Sequence, residues 1–407
     1  MKSIRSIAAL TLAAVTVGCA SSLPGPTPMM GMPPAQLMRQ SAAVAPGTAA
    51  QPITVHFVQA YKGPIAENEP LTRRDPNGPA AALIQLINTA RKSLDGAFYD
   101  FSDDNIAEAF IQAKKRGVQV RLITDNENMT VRDSGPQGPI RPLIARMQQA
   151  GIPVIDDKRS GLMHNKFLVQ DGQTVWMGST NLTPTSLYQH NNNAMTLRVP
   201  QVAANYTYEF ERMFVHGIFG PNPPRQLPFP VVQVGNSTIR TFFSPKGGGQ
   251  EAVVGTLQQA KKDVAFMTFS FTDKEIGAIM VAKRQAGLKV EGVFDQCLGY
   301  GQYSQYHTLK AANIFSRMDG NQALLHHKIL LVDDTVITGS YNFSANADKS
   351  NNENVLLIQN SYVSSMYRQE YARIMQAAKT NNPPRGECPG DKPAAPGAPT
   401  PEVPATP

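Results

Sequence analysis

Apolar residues along the chain change period in an ordered way. Leu83, Leu86, Ile87 and Ala90 recur at helical spacing, and Ile106, Ala109, Phe110 and Ala113 do so again. Short β-type runs lie between and after them, the second being VQVRLITD, which ends at Asp125. Gly117 is placed to end the second helix, after Lys114, Lys115 and Arg116 have matched its negative end. Further on, HNKFLVQDGQTVWMGS at 164–179 reads as two apolar strands around an Asp171-Gly172 turn. Helix and strand alternating at this spacing predict an α/β layered architecture.

The whole pattern occurs twice. Residues 253–295 superpose on 83–125 at a constant offset of 170, so that Phe271 falls on Phe101, Ile276 on Ile106, Gly287 on Gly117 and Asp295 on Asp125. HHKILLVDDTVITGS at 326–340 then repeats the hairpin, with its turn at Asp333-Asp334 and an offset of 162 at the histidines. Loops vary and elements persist, as two similar halves related by a pseudo-twofold axis require. Within the hairpins the apolar positions drift among Leu, Val, Ile and Phe, whereas His, Lys, Asp and Gly-Ser-x-Asn are kept. That is a chemical signature rather than a packing one.

Composition places this core within the chain. Of 407 residues, 42% are hydrophobic and 17% charged, enough for two α/β halves, expected at 51–220 and 221–380. The flanks at 20–50 and 381–407 are Pro/Ala-rich and expected to be disordered. Residues 1–19 carry Lys2 and Arg5, then an apolar run too short for a permanent membrane span. They read as an export signal. Thr16-Val17-Gly18-Cys19 resembles a bacterial lipobox, which implies a lipid anchor on Cys19 and a place in the cell envelope; the alternative is an ordinary signal cut near Ala20. Cys297 and Cys388 could pair in an oxidising compartment. The net charge of +7 suits anionic phosphates in lipid or nucleic acid without choosing between them.

Residues two apart on a strand share a face, so His164 and Lys166 should point together, as should His326 and Lys328. Gly178-Ser179-Thr180-Asn181 and Gly339-Ser340-Tyr341-Asn342 end the return strands beside them. Two halves face to face would supply two imidazoles, two ammonium groups and two carboxamides to one cavity. Such a set suits phosphodiester cleavage. Lysines and asparagines hold the non-bridging oxygens, one imidazole attacks phosphorus, and the other protonates the leaving oxygen. Asp171 and Asp333 read as structural turn residues. No H-E-x-x-H or Cys/His ligand cluster is present in the sequence.

H-x-K, four residues, D, then G-S-x-N, twice over, resembles the phospholipase D superfamily in its compact bacterial branch. The resemblance covers most of 53–380. It implies two α/β sandwich halves with one active site at their interface, a phosphohistidine intermediate, and no cofactor or required metal. Carried over by position, the catalytic set is His164, Lys166, Asn181, His326, Lys328 and Asn342, supported by Ser179 and Ser340. One chain holds both half-sites, so a monomer is expected.

One departure carries information. The family motif continues to N-x-E, which the second copy keeps at Glu353, whereas the first has Asn192 there. A carboxylate favours a protonated imidazole and an amide a neutral one. If Glu353 contacts His326 and Asn192 contacts His164, then His164 is the nucleophile and His326 the general acid. Phospholipid is the expected substrate; the alternatives are a metal-independent non-specific endonuclease, a phosphatidyltransferase and a non-catalytic phosphate-binding protein. Trp176 reads as core, KGGGQ (246–250) as a flexible rim, and Tyr300, Tyr303 and Tyr306 as a loop near the cleft.

Overall fold

Fifteen strands and their helices are arranged as two sheets in the computed structural model, which describes residues 51–60, 65–131, 134, 137–221 and 226–378. The expected signal, Cys19, the 20–50 tether, Cys388 and the tail lie outside these residues. In chain order the strands of the first sheet are β1 (Ile53–Phe57), β2 (Ser93–Phe98), β3 (Gln119–Thr124), β4 (Val154–Asp156), β5 (Lys166–Gln170), β6 (Thr174–Gly178) and β7 (Asn193–Leu197). Those of the second are β8 (Val231–Val234), β9 (Ser237–Ser244), β10 (Asp263–Thr268), β11 (Lys289–Phe294), β12 (Phe315–Met318), β13 (Lys328–Val332), β14 (Thr335–Gly339) and β15 (Glu353–Gln359).

The spatial orders are β1-β7-β6-β5-β2-β3-β4 and β12-β11-β10-β13-β14-β15-β9-β8. Apart from the extra β8, one is the other read backwards, so the duplication in sequence is a duplication in space. Both predicted hairpins form: β5 with β6 and β13 with β14, each antiparallel. Asp171 and Asp333 take positive φ at the turns (54° and 52°).

Local chemistry explains the helices. Asp103 and Asp273 cap the matched helices Asp104–Lys115 and Lys274–Gln285, each accepting from the amide three residues on at 3.0 Å. Gly117 and Gly287 then leave the helices at φ 89°, a conformation that glycine adopts without strain.

The apolar runs of the hairpins are continuous because central strands are covered on both faces. Leu168 and Trp176 face the outer core under the helices of the first half, while Phe167, Val169 and Met177 face a core shared by both sheets. Leu330 and Ile337 face the outer core of the second half, with Ile329, Leu331 and Val336 in the shared core. Tyr206 and Phe210 from helix Pro200–Phe214, and Tyr367 and Ile374 from helix Ser361–Ala377, complete that shared layer. Trp176 is core, as expected.

The KGGGQ segment differs from expectation. Gly248, at φ 91°, starts helix Gly249–Gln258, and Gln250 bonds Asp273 at 2.8 Å, so the segment is a helix entry rather than a rim loop. Of the three tyrosines, Tyr306 is buried in the second outer core while Tyr303 is exposed.

Candidate active site

The lysines start β5 and β13, and the histidines stand two residues earlier, where each chain segment crosses to the other half. His164 N donates to Asn352 O and His326 N to Asn191 O, both at 2.9 Å. Isolated bridges Met163–Asn352 and Asn191–Leu325 extend these contacts. The two histidine segments are thereby stitched into one another's half, which brings the motifs to a common cleft.

Side-chain partners cross in the same way, and this corrects the expected pairing. Glu353 does not contact His326; its carboxylate lies 2.9 and 2.8 Å from His164 Nδ1. Nor does Asn192 contact His164; its Oδ1 lies 2.9 Å from His326 Nδ1. Near a pseudo-twofold axis the nearest neighbour of a residue belongs to the symmetry mate, which spacing within one half cannot reveal.

These partners are themselves held. Ser340 Oγ donates to Glu353 at 2.6 Å, and Ser179 Oγ donates to Asn192 Oδ1 at 2.7 Å. Asn192 Nδ2 donates to the Ser186 carbonyl at 2.9 Å, so its oxygen must face His326. Carboxylate and amide oxygen both accept only, which puts the hydrogen on Nδ1 of each histidine and leaves each Nε2 lone pair free. With 6% exposure each, the rings are buried except for an edge.

Lys166 and Lys328 are buried, with Nζ donating to the carbonyls of His164 and His326 respectively. Lys166 Nζ lies 5.0 Å from the centre of the Tyr99 ring, and Lys328 Nζ lies 4.8 Å from that of Phe269. The same rings flank the histidines, Tyr99 at 4.9 Å from His164 and Phe269 at 4.7 Å from His326. Burial lowers Lys166 to about 7, against the opposing pull of Glu353 and Asp125. Burial and the Lys166 charge push Lys328 well below its ordinary value. The two lysines thus share the charges of Glu353, Asp125 and Asp295 rather than each holding a carboxylate by a direct ion pair among the described residues.

Burial also lowers His164, to about 4, although Glu353 opposes the shift. His326 is lowered well below its usual value by burial first, then by its neighbours Lys328, His190 and Lys166. Asn181 and Asn342 each keep a buried carboxamide oxygen without a partner among the described residues. They stand where the sequence puts them, at the ends of the return strands.

Asp171 and Asp333 are away from this chemistry, at the opposite ends of the hairpins. Asp171 accepts from the amides of Arg91, Lys92 and Ser93, and Asp333 from those of Lys261, Lys262 and Asp263. Burial works against the Asp333 charge, but the three amides together hold its carboxyl below the usual range.

Several contributors carried a sequence signal without a role. Asp125 and Asp295, aligned across the copies, each brace a histidine: one carboxylate oxygen bonds Met163 N at 2.8 Å in the first half and Leu325 N at 3.0 Å in the second. Burial raises both carboxyls to about 6. The motif glycines Gly178 and Gly339 have no room for a side chain, since a Cβ would overlap the carbonyl oxygens of Asn193 and Asn354.

Comparison with known proteins gives the same architecture and the same superfamily. Residues 83–214 and 253–375 match the family described as cardiolipin synthase, PLD-like domain. A phospholipase D of Rickettsia bellii is 28% identical over 150 residues, 37% of this chain and 75% of the relative. A mitochondrial cardiolipin hydrolase of Xenopus laevis is 32% identical over 164 residues, 40% of this chain and 73% of the relative. The crystal structure of a phosphatidylserine synthase of Haemophilus influenzae Rd KW20 superposes with a TM-score of 0.58 at 14% identity, covering 80% of this chain and 87% of that one. That likeness is one of fold. With both copies matched and the crossed histidines at their junction, the chain belongs to the phospholipase D superfamily of phosphodiesterases.

Proposed function

We propose that the protein hydrolyses phospholipid head-group phosphodiesters through a phosphohistidine on His164. The observation that carries this reading is the crossed pair His164–Glu353 and His326–Asn192 at one cleft between two buried lysines. The names of the relatives, phospholipase D and cardiolipin hydrolase, support the substrate class.

The role of His164 now rests on a different reason from the expected one. An imidazole phosphorylated at Nε2 and protonated at Nδ1 is a cation, and the carboxylate at 2.8 Å stabilises it. Asn192 accepts from His326 Nδ1 whether that ring is neutral or charged, and without a carboxylate the ring is the stronger acid. A bound phosphodiester adds negative charge beside Lys166 and Lys328, which favours protonation of His326.

The steps then balance. His164 Nε2 forms the P–N bond as the bond from phosphorus to the head-group oxygen breaks, and His326 gives its Nε2 proton to that oxygen. A water next loses a proton to His326 and attacks phosphorus. The P–N bond breaks, His164 is restored, and the lipid phosphate leaves. Lys166, Lys328, Asn181 and Asn342 hold the non-bridging oxygens throughout. We also propose export to the cell envelope with an anchor at Cys19, which the charged and apolar pattern of residues 1–19 supports.

The test offers purified protein phosphatidylcholine, phosphatidylglycerol and plasmid DNA side by side in EDTA. Head-group release lost in His164→Ala is the expected result. DNA nicking without lipid turnover would overturn the substrate, and unchanged lipid turnover in His164→Ala would overturn the site.

A further inference from the structure

The two sides of the cleft differ at a third position that the mechanism does not use. In the second half, Asn351 is committed to the scaffold: its Oδ1 accepts from Leu162 N at 3.3 Å and its Nδ2 donates to Glu353 at 3.3 Å. The matching residue of the first half is His190, two before Asn192 as Asn351 is two before Glu353. Its ring is half-buried, and neither nitrogen has a hydrogen-bond partner among the described residues. The ring centres of His190 and His326 are 6.0 Å apart, with the planes tilted by 49°.

The main chain ties the two rings together. His326 N donates at 2.9 Å to the carbonyl of Asn191, the residue after His190. Asn321 Nδ2 donates at 2.9 Å to the carbonyl of Gln189, the residue before it, and His190 N itself donates to Thr185 O at 2.9 Å. His190 is thus carried on a segment pinned before and after it to the half that supplies His326, which is the support that a precisely placed side chain needs.

Only one side of phosphorus calls for such a group. In an in-line displacement the P–N bond to His164 forms opposite the departing oxygen, so the water that later breaks it enters on the His326 side, where that oxygen stood. Water brings two hydrogens. His326 takes one, and the second needs an acceptor, which an ammonium group cannot be. Burial first, then the Lys328 charge, lowers His190 to about 4, so its imidazole is neutral and keeps one nitrogen lone pair. An oxygen hydrogen-bonded to a ring nitrogen lies about 4 Å from the ring centre, and two centres 6.0 Å apart then subtend about 100° at it. That is close to the spread of the two hydrogens of a water molecule.

Resting on the reading above, in which His326 serves the departing and the entering oxygen, we infer that His190 is a catalytic residue of the second step, accepting a hydrogen bond from the entering water and so favouring hydrolysis over transfer to an alcohol. The step balances. One O–H bond of the water breaks as its proton passes to His326 Nε2, and the water oxygen bonds to phosphorus. The P–N bond breaks with its electron pair returning to His164 Nε2, and the second O–H, held by His190, stays on the product phosphate. An alcohol spends its single hydrogen on His326 and has none left for His190. The same is true of the departing head-group oxygen, so His190 contributes to the second step alone. The advantage of water is one neutral hydrogen bond, about tenfold.

The test gives the full-length protein bis(p-nitrophenyl) phosphate, whose activated leaving group makes breakdown of the phosphoenzyme the slow step and which needs no lipid head group. At a fixed concentration of ethanol, phosphorus NMR reads the ratio of p-nitrophenyl phosphate to its ethyl ester. His190→Phe and His190→Ala remove the acceptor, whereas His190→Gln keeps one. Both removals should lower the hydrolysis-to-transfer ratio about tenfold and slow steady-state turnover in water about tenfold, with the initial burst of p-nitrophenolate within threefold of wild type. His190→Gln should keep the ratio within threefold. A ratio within threefold of wild type in both removal variants would overturn the inference. So would a burst slowed as much as the steady state, which marks a general structural loss, or a His190→Gln ratio as low as that of the removals. The underlying lipid reading fails separately, as an absence of lipid turnover by wild-type protein that still cleaves this substrate.

Discussion

Glu353 approaches His164 Nδ1 at 2.8 Å although the two residues belong to different halves and lie 189 positions apart. This contact makes the two chemically similar half-sites unequal. Removing its charge in Glu353→Gln should slow formation of the phosphoenzyme more than substrate binding. A loss of about 100-fold in kcat with KM within threefold is expected, in the range of a misplaced acid–base partner. Rapid-quench kinetics would check it; an unchanged burst would remove the proposed role.

His326 should be dispensable for attack but needed for completion. In His326→Ala, a substrate with an activated leaving group, such as a p-nitrophenyl phosphodiester, should still phosphorylate the protein and then stall. Mass spectrometry of digested protein should find the phosphoryl group on His164. Finding no adduct on either histidine, with activity intact in wild type, would reject a covalent path.

Anion binding should depend on pH in a defined direction. Lys166 lies near 7 without ligand, held down first by burial, and Lys328 is depressed as well. A bound oxyanion raises both, so binding takes up protons. Affinity is full below the unliganded value and weakens as pH rises through and beyond it. Tungstate measured by calorimetry should lose about tenfold in affinity per pH unit between 7.5 and 9 for each lysine that must be protonated, about 1.4 kcal/mol each. A flat profile would show that the lysines are already charged.

Asp171 and Asp333 should matter to stability alone. Each accepts backbone amides at its turn, so Asp171→Ala or Asp333→Ala leaves three donors to water and loses the positive-φ turn residue. A cost of about 1–3 kcal/mol is expected, with kcat within threefold. Thermal melts and turnover measured on the same samples would check this, and a large kcat loss without a change in melting would place these aspartates nearer the chemistry.

Much of this arrangement was legible before any coordinates. The duplication, the hairpins, the buried core of Trp176 and the gathering of His164, Lys166, His326 and Lys328 all follow from period and repetition, because strand periodicity fixes which neighbours share a face. The pairing of Glu353 and Asn192 did not follow. Sequence spacing orders residues within a half, whereas contacts at a pseudo-twofold axis exchange them between halves. Asp125 and Asp295 were visible as an aligned pair, yet their bracing of the histidine segments depends on loop closure that spacing does not encode. The KGGGQ segment departs from its expectation because glycine richness alone suggests freedom, whereas Lys246 and Gly248 at positive φ turn the chain into a helix.

The crossed main-chain bonds from His164 to Asn352 and from His326 to Asn191 also bear on how the molecule comes into being. A ribosome that has delivered the first motif has made an imidazole with neither its carboxylate nor its backbone anchor. Only when the stretch around residues 351–353 has emerged and docked does the nucleophile acquire both. The first histidine's surroundings are thus assembled late, once most of the polypeptide has been written.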